Sequence, residues 1–134
     1  METPRHVLLK ILFVALGGAF GSVLRYELGR WIQARTTSSF PTGTLAINVS
    51  GCFAIGFLGM LLTGPMMIRE EYRVGLLVGV LGGYTTFSTF GRETFMLANE
   101  NQGFYAVMNL LLSNTLGVVA VWLGHRLAER WYGV

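Results

Sequence analysis

The amino-acid sequence predicts an all-α membrane protein: four transmembrane helices with a broken third helix, paired as an antiparallel, dual-topology homodimer. Three observations carry that prediction. Hydrophobic residues make up 52% of the 134 and charged residues 13%, where an ordinary soluble domain has about 25% charged. Four stretches hold no Asp, Glu, Lys or Arg: Ile11 to Leu24, Thr36 to Ile68, Val74 to Gly91 and Asn101 to His125. The third contains Gly-Gly-Tyr-Thr-Thr-Phe-Ser-Thr-Phe-Gly at 82–91, poor material for a continuous helix.

A crossing needs roughly 20 apolar residues, which sets the spans at about 8–28, 44–62, 74–97 and 104–124 within a single domain covering 1–134. In the first, Lys10 can snorkel to the interface. Arg5, His6 and Lys10 ahead of an apolar run resemble a signal sequence, but three later spans and the lack of a convincing cleavage site favour a retained helix. The second span follows a polar loop ending at Pro41 and stops at Gly64-Pro65. In the third, paired glycines raise the cost of helix and the Thr and Ser hydroxyls compete for backbone hydrogen bonds, so a break is expected near 82–86. Lipid cannot satisfy freed N–H and C=O groups. Such backbone survives only where protein or a polar cavity shelters it, and that makes the segment the first place to look for function.

With four spans both termini share a side. Arg5, Lys10, Arg69, Arg73, Arg126 and Arg130 then face one compartment and Arg25, Arg30, Arg35 and Arg92 the other, a weak bias under the positive-inside rule. The basic residues thus report topology rather than a nucleic-acid surface. Four short helices can hardly enclose a polar path alone, and closed assemblies are most often two-fold. An antiparallel pair would mimic the inverted repeats of single-chain transporters.

Several side chains stand out within the spans. Gly17, Gly18, Gly21 and Ser22 have the small-xxx-small spacing of close helix contacts. Arg25, one turn after Gly21, either snorkels or sets a positive charge at a vestibule. Asn48 in the second span either joins helices or presents its NH2 donors to a passing anion. Gly75, Gly79 and Gly83 form a stripe that ends at the expected break. Beyond it Phe87 and Phe90, three apart, project from one face, interleaved with Ser88 and Thr89. Ring edges are positive and suit an anion, whereas the carbonyls of a break suit a cation. Asn109, Ser113 and Asn114 form a polar stripe on the fourth span, either interhelical glue or a pathway wall. Trp31, Trp122, Trp131, Tyr26, Tyr72 and Tyr132 lie near span ends as an aromatic belt. Cys52 stands alone and reads as a small core residue. Glu27, Glu70, Glu71, Glu93, Glu100 and Glu129 are assigned to span ends or loops, leaving no intramembrane carboxylate for proton coupling, and no nucleophile–base pair or Cys/His cluster suggests an enzyme.

On these residues the chain resembles the small bacterial fluoride channels, the fluoride exporters called Fluc or CrcB. The likeness rests on Gly21-x-x-x-Arg25, on Gly43-Thr44-Leu45-Ala46-x-Asn48, and above all on Gly82-Gly83-x-Thr85-Thr86-Phe87-Ser88-Thr89-Phe90, and it covers nearly the whole chain. It implies passive export of fluoride through the cytoplasmic (inner) membrane, which lowers intracellular fluoride. It also implies an antiparallel homodimer with two pores and a structural Na+ at its centre, held by the Gly82 and Thr85 carbonyls of both copies. The fluoride pathway would take in Asn48, Phe87 and Phe90, the hydroxyl neighbours Ser88 and Thr89, Ser113 and Asn114 on the fourth span, and Arg25 at the vestibule. Val118 departs from the family, which often has serine there. The partners implied are fluoride, a second copy and the bilayer. A dual-topology small multidrug-type cation exporter shares the size and layout, but would carry a Glu in the first span, and Ile11 to Leu24 has none. A non-transporting scaffold subunit would explain the glycines but not hydroxyls and phenylalanines on one stripe.

Overall fold

The computed structural model describes residues 3–133 and is helical throughout, with no strand among the described residues. Helix α1 spans Pro4–Gln33, with proline in its first turn, where the missing N–H costs nothing. At 30 residues it is about 45 Å long, longer than the roughly 30 Å hydrocarbon core, so it runs past 8–28 at both ends. Helix α2, Thr42–Thr63, starts directly after Pro41 and stops at Gly64. Gln33, the last residue of α1, supports its start: Gln33 Oε1 accepts from the Gly43 N–H at 3.0 Å and from Thr42 Oγ1 at 3.2 Å, while Nε2 donates to the Phe40 carbonyl.

The third crossing is assembled from pieces: α3 at Glu70–Val74, a π-helical stretch at Gly75–Val80, α4 at Leu81–Tyr84 and α5 at Phe87–Asn99. Asn101 turns the chain at φ 59°, a left-handed conformation that Asn tolerates better than most residues. Helix α6 then covers Gly103–Tyr132. Among the described residues, four helical segments are long and apolar enough to cross a bilayer, and large side chains such as Leu8, Leu16 and Phe20 on α1 are exposed. That suits a lipid-facing exterior and would be anomalous in water.

Two packing pairs organise the bundle. Helix α2 lies chiefly along α6, and α1 along the third crossing. Glycine permits both approaches: a Cβ on Gly124 would collide with the Phe53 carbonyl of α2, and one on Gly21 with the Val80 carbonyl and the Tyr84 amide. Ion pairs fasten the opposite end of α1 to α3, with Lys10 at 2.8 Å from Glu70 and the buried Glu71 reached by His6 Nδ1 at 3.2 Å and by Arg69 at 3.1 Å.

Candidate functional site in the third crossing

Between α4 and α5 the chain is extended for two residues, Thr85 at φ −86°, ψ 158° and Thr86 at φ −150°, ψ 119°. In a continuing helix the Gly82 carbonyl would receive the Thr86 N–H, and the Thr85 carbonyl the Thr89 N–H. Both amides are diverted. Thr86 N–H donates to Asn48 Oδ1 at 2.8 Å, and Thr89 N–H donates to Thr86 Oγ1 at 3.2 Å, the N-cap of α5. Side chains from the neighbouring helices take up part of the deficit: Arg25 Nη1 donates to the Thr85 carbonyl at 3.2 Å and Asn48 Nδ2 to the Thr86 carbonyl at 2.9 Å.

These bonds bear on alternatives that spacing leaves open. Arg25 does not snorkel away from the bundle; it reaches the interruption. Asn48 does join helices, and both atoms of its carboxamide are engaged by one residue, with one Nδ2 N–H left over. Gly82 is exposed, and nothing lies within 4 Å of where its Cβ would be. Its carbonyl and that of Thr85 are hard oxygen donors of the kind that suit Na+, and a carbonyl holding one guanidinium bond keeps a second lone pair. The donor set therefore fits the expected cation, although one chain supplies only part of a shell.

Two cavities flank Thr86, which lines both. The smaller, ≈ 340 Å³, is walled by Asn48, Gly82, Phe87, Phe90, Ser113 and Asn114 among others. The larger, ≈ 520 Å³, is lined by Arg25, Arg30, Arg92, Thr44, Thr89 and Glu93 among others. Phe87 and Phe90 stand 5.5 Å apart, centre to centre, with rings tilted by 47°. Their burial differs: Phe90 is 6% exposed and Phe87 81%. The Ser88 hydroxyl lies 3.3 Å from that of Thr86, which donates to Thr89 Oγ1 at 3.0 Å.

On α6 the polar stripe divides. Asn109, fully buried, donates from Nδ2 to Thr94 Oγ1 at 2.8 Å, and Thr94 donates in turn to the Phe90 carbonyl at 2.8 Å. Ser113 Oγ donates back to Asn109 Oδ1 at 3.3 Å, and Asn114 Nδ2 to the Leu110 carbonyl at 2.7 Å. Asn109 thus joins α6 to α5, while Ser113 and Asn114 reach the smaller cavity.

One carboxylate needs correction. Glu93 is not at a span end or in a loop; it lies inside α5, half-buried, with Thr44 Oγ1 donating to Oε1 at 2.8 Å. Its Oε2 is buried without a hydrogen-bond partner. Glu93 lines the larger cavity, whereas Phe87 and Phe90 line the smaller.

Fold and site together define a class: a multi-pass α-helical membrane protein whose third crossing is interrupted between two cavities. Within that class the chain belongs to the CrcB-like family, since residues 12–125 match the family described as CrcB-like protein, Camphor Resistance (CrcB). A protein of Solibacter usitatus named Fluoride-specific ion channel FluC is 48% identical over 122 residues, which is 91% of this chain and 100% of that one. Proteins of the same name from Rhodospirillum rubrum and Helicobacter pylori G27 are 50% identical over 117 residues, covering 85% of this chain and 90% of the relative, and 41% over 125, covering 92% and 95%.

Proposed function

We propose that the protein is a fluoride-selective ion channel that lets fluoride leave the cell passively across the cytoplasmic membrane, and that it is not an enzyme. The observation that carries this is the near-full-length similarity, at 48% identity, to a relative named as a fluoride-specific channel. The geometry supports it. Fluoride is small and strongly hydrated, so a path must replace water with aligned donors and positive ring edges. The smaller cavity has two side-chain amides, two phenylalanines and hydroxyls, and no charged residue lines it. Arginines in the larger cavity would raise the local anion concentration.

The working unit is an antiparallel homodimer. A carbonyl at Gly82 exposed at membrane depth is untenable against lipid, and a second copy placed over it would cover it. The exposed Phe87 fits the same arrangement. A structural Na+ at the centre would be held by the Gly82 and Thr85 carbonyls of both copies and would offset their partial negative charge. Arg25, Asn48, Phe87, Phe90, Ser88, Thr89, Ser113 and Asn114 line or support the fluoride path.

Liposomes holding the protein are expected to release fluoride rapidly and chloride negligibly, followed with ion-selective electrodes. Equal release of both halides, or fluoride movement only under an imposed proton gradient, would refute the proposal. The dimer has a separate check: cross-linking between single cysteines at Gly82 of two copies, with Cys52 removed, is expected, and exclusively monomeric protein would rule the pair out.

A further inference from the structure

An asparagine amide in a pore is ambivalent, because its carbonyl suits a cation and its NH2 an anion, and an unrestrained side chain can turn either way. Asn48 is not unrestrained. It meets both backbone groups of Thr86, whose N–H can only donate and whose C=O can only accept. In an extended residue these two groups point to the same side, which is why a single carboxamide spans them at 2.8 and 2.9 Å. A flipped amide would set oxygen against oxygen and N–H against N–H.

We infer that the Thr86 peptide is a positioning element that sets the polarity of Asn48: the donor end faces the Phe87 side and the acceptor end the Thr85 side, so that beside the phenylalanines Asn48 offers an N–H and never an oxygen. The direction follows from chain order. Asn48 Nδ2 is bonded to the Thr86 carbonyl, which precedes the Phe87 amide, and Oδ1 to the Thr86 N–H, which follows the Thr85 carbonyl. Nδ2 has two hydrogens and Thr86 uses one. The other is the group available to a halide in the ≈ 340 Å³ cavity that Asn48 and Phe87 both line. Charge discrimination at Asn48 is thus dictated by a neighbouring peptide, and no ionised side chain is needed to impose it.

The inference rests on the fluoride-channel proposal for the identity of its anion, and its test separates the two. Asparagine-selective 15N labelling, with the Asn48 signal assigned by its loss in Asn48→Asp, is expected to give two resolved side-chain amide protons. One exchanges slowly with water, and the other shifts on adding fluoride but not chloride. Equal shifts in both protons, a shift in neither, or fast exchange of both overturns the assignment. A wild-type protein that passes no fluoride refutes the channel proposal, while the exchange pattern still reports the pinned amide. In a second arm, Thr86 is replaced by its α-hydroxy acid, which removes the N–H that Asn48 Oδ1 accepts, leaves Asn48 in place and weakens the Thr85 carbonyl as an acceptor. The preference for fluoride over chloride flux is then expected to fall about tenfold, as for the loss of one buried hydrogen bond; an unchanged preference overturns the proposal. Asn48→Asp keeps the acceptor and loses the donor, so its fluoride flux is expected to drop by at least about tenfold.

Discussion

The two cavities that meet at Thr86 are built from opposite materials. The larger carries three guanidinium groups, from Arg25, Arg30 and Arg92, against the carboxylates of Glu93 and Glu100. The smaller has amide, hydroxyl and aromatic groups and no charged lining residue. On the proposed pathway the difference would separate gathering ions from passing them. Formal charge attracts an anion from a distance and holds it too well, whereas neutral dipoles bind weakly enough for release.

Variants can break or sharpen this contrast. Arg25→Ala should have the largest effect, because it removes a positive charge lining the larger cavity and the bond to the Thr85 carbonyl together. Fluoride efflux from liposomes is expected to fall about a hundredfold, as for loss of a hydrogen bond to a charged group, and Arg25→Lys should recover only part of it because it lacks the fork geometry. Full recovery by lysine would reduce Arg25 to a point charge. In the smaller cavity, Phe87→Ile keeps bulk and loses the ring edge; efflux should fall about tenfold with the dimer intact on a sizing column, and unchanged efflux would return Phe87 to packing. Glu93→Gln preserves an acceptor for Thr44 and removes a negative charge from the gathering side. It should raise efflux at low fluoride by about threefold, and a fall would mean that the carboxylate itself helps conduction. Arg92, exposed on α5, should matter least: Arg92→Gln is expected to lower efflux about twofold at low ionic strength and not at all in high salt. A salt-independent loss would place Arg92 in the path itself.

Charge-free runs marked the crossings because span length is a simple threshold on hydropathy, and the glycines and hydroxyls of 82–91 marked the segment of interest. Partnerships were not legible. Gly21-x-x-x-Arg25 reads equally as packing with a snorkelling cation, and only the folded chain joins Arg25 to Thr85, sixty residues later. Asn48 was ambiguous for the same reason, since a donor is identified by what it meets. Glu93 was misjudged because a charge close to a span end looks interfacial until the folded chain brings Thr44 against it. The π-helical turns left no sequence mark beyond glycines that packing already explained.

Those turns, at Gly75–Val80, make this crossing unusually tolerant in one place. A π-helical segment behaves as a stored insertion, one residue wound into the helix beyond what α geometry needs. Elsewhere along the crossing, deleting a residue would swing everything downstream through about 100° and carry Gly82, Thr85 and Phe87 off their faces. Within this stretch a deletion can be absorbed by tightening to α. Loss of Val78, an exposed member of the stretch, should therefore leave measurable fluoride efflux where loss of Tyr84 abolishes it; the length of the third crossing would then be adjustable by one residue without moving the interruption that follows it.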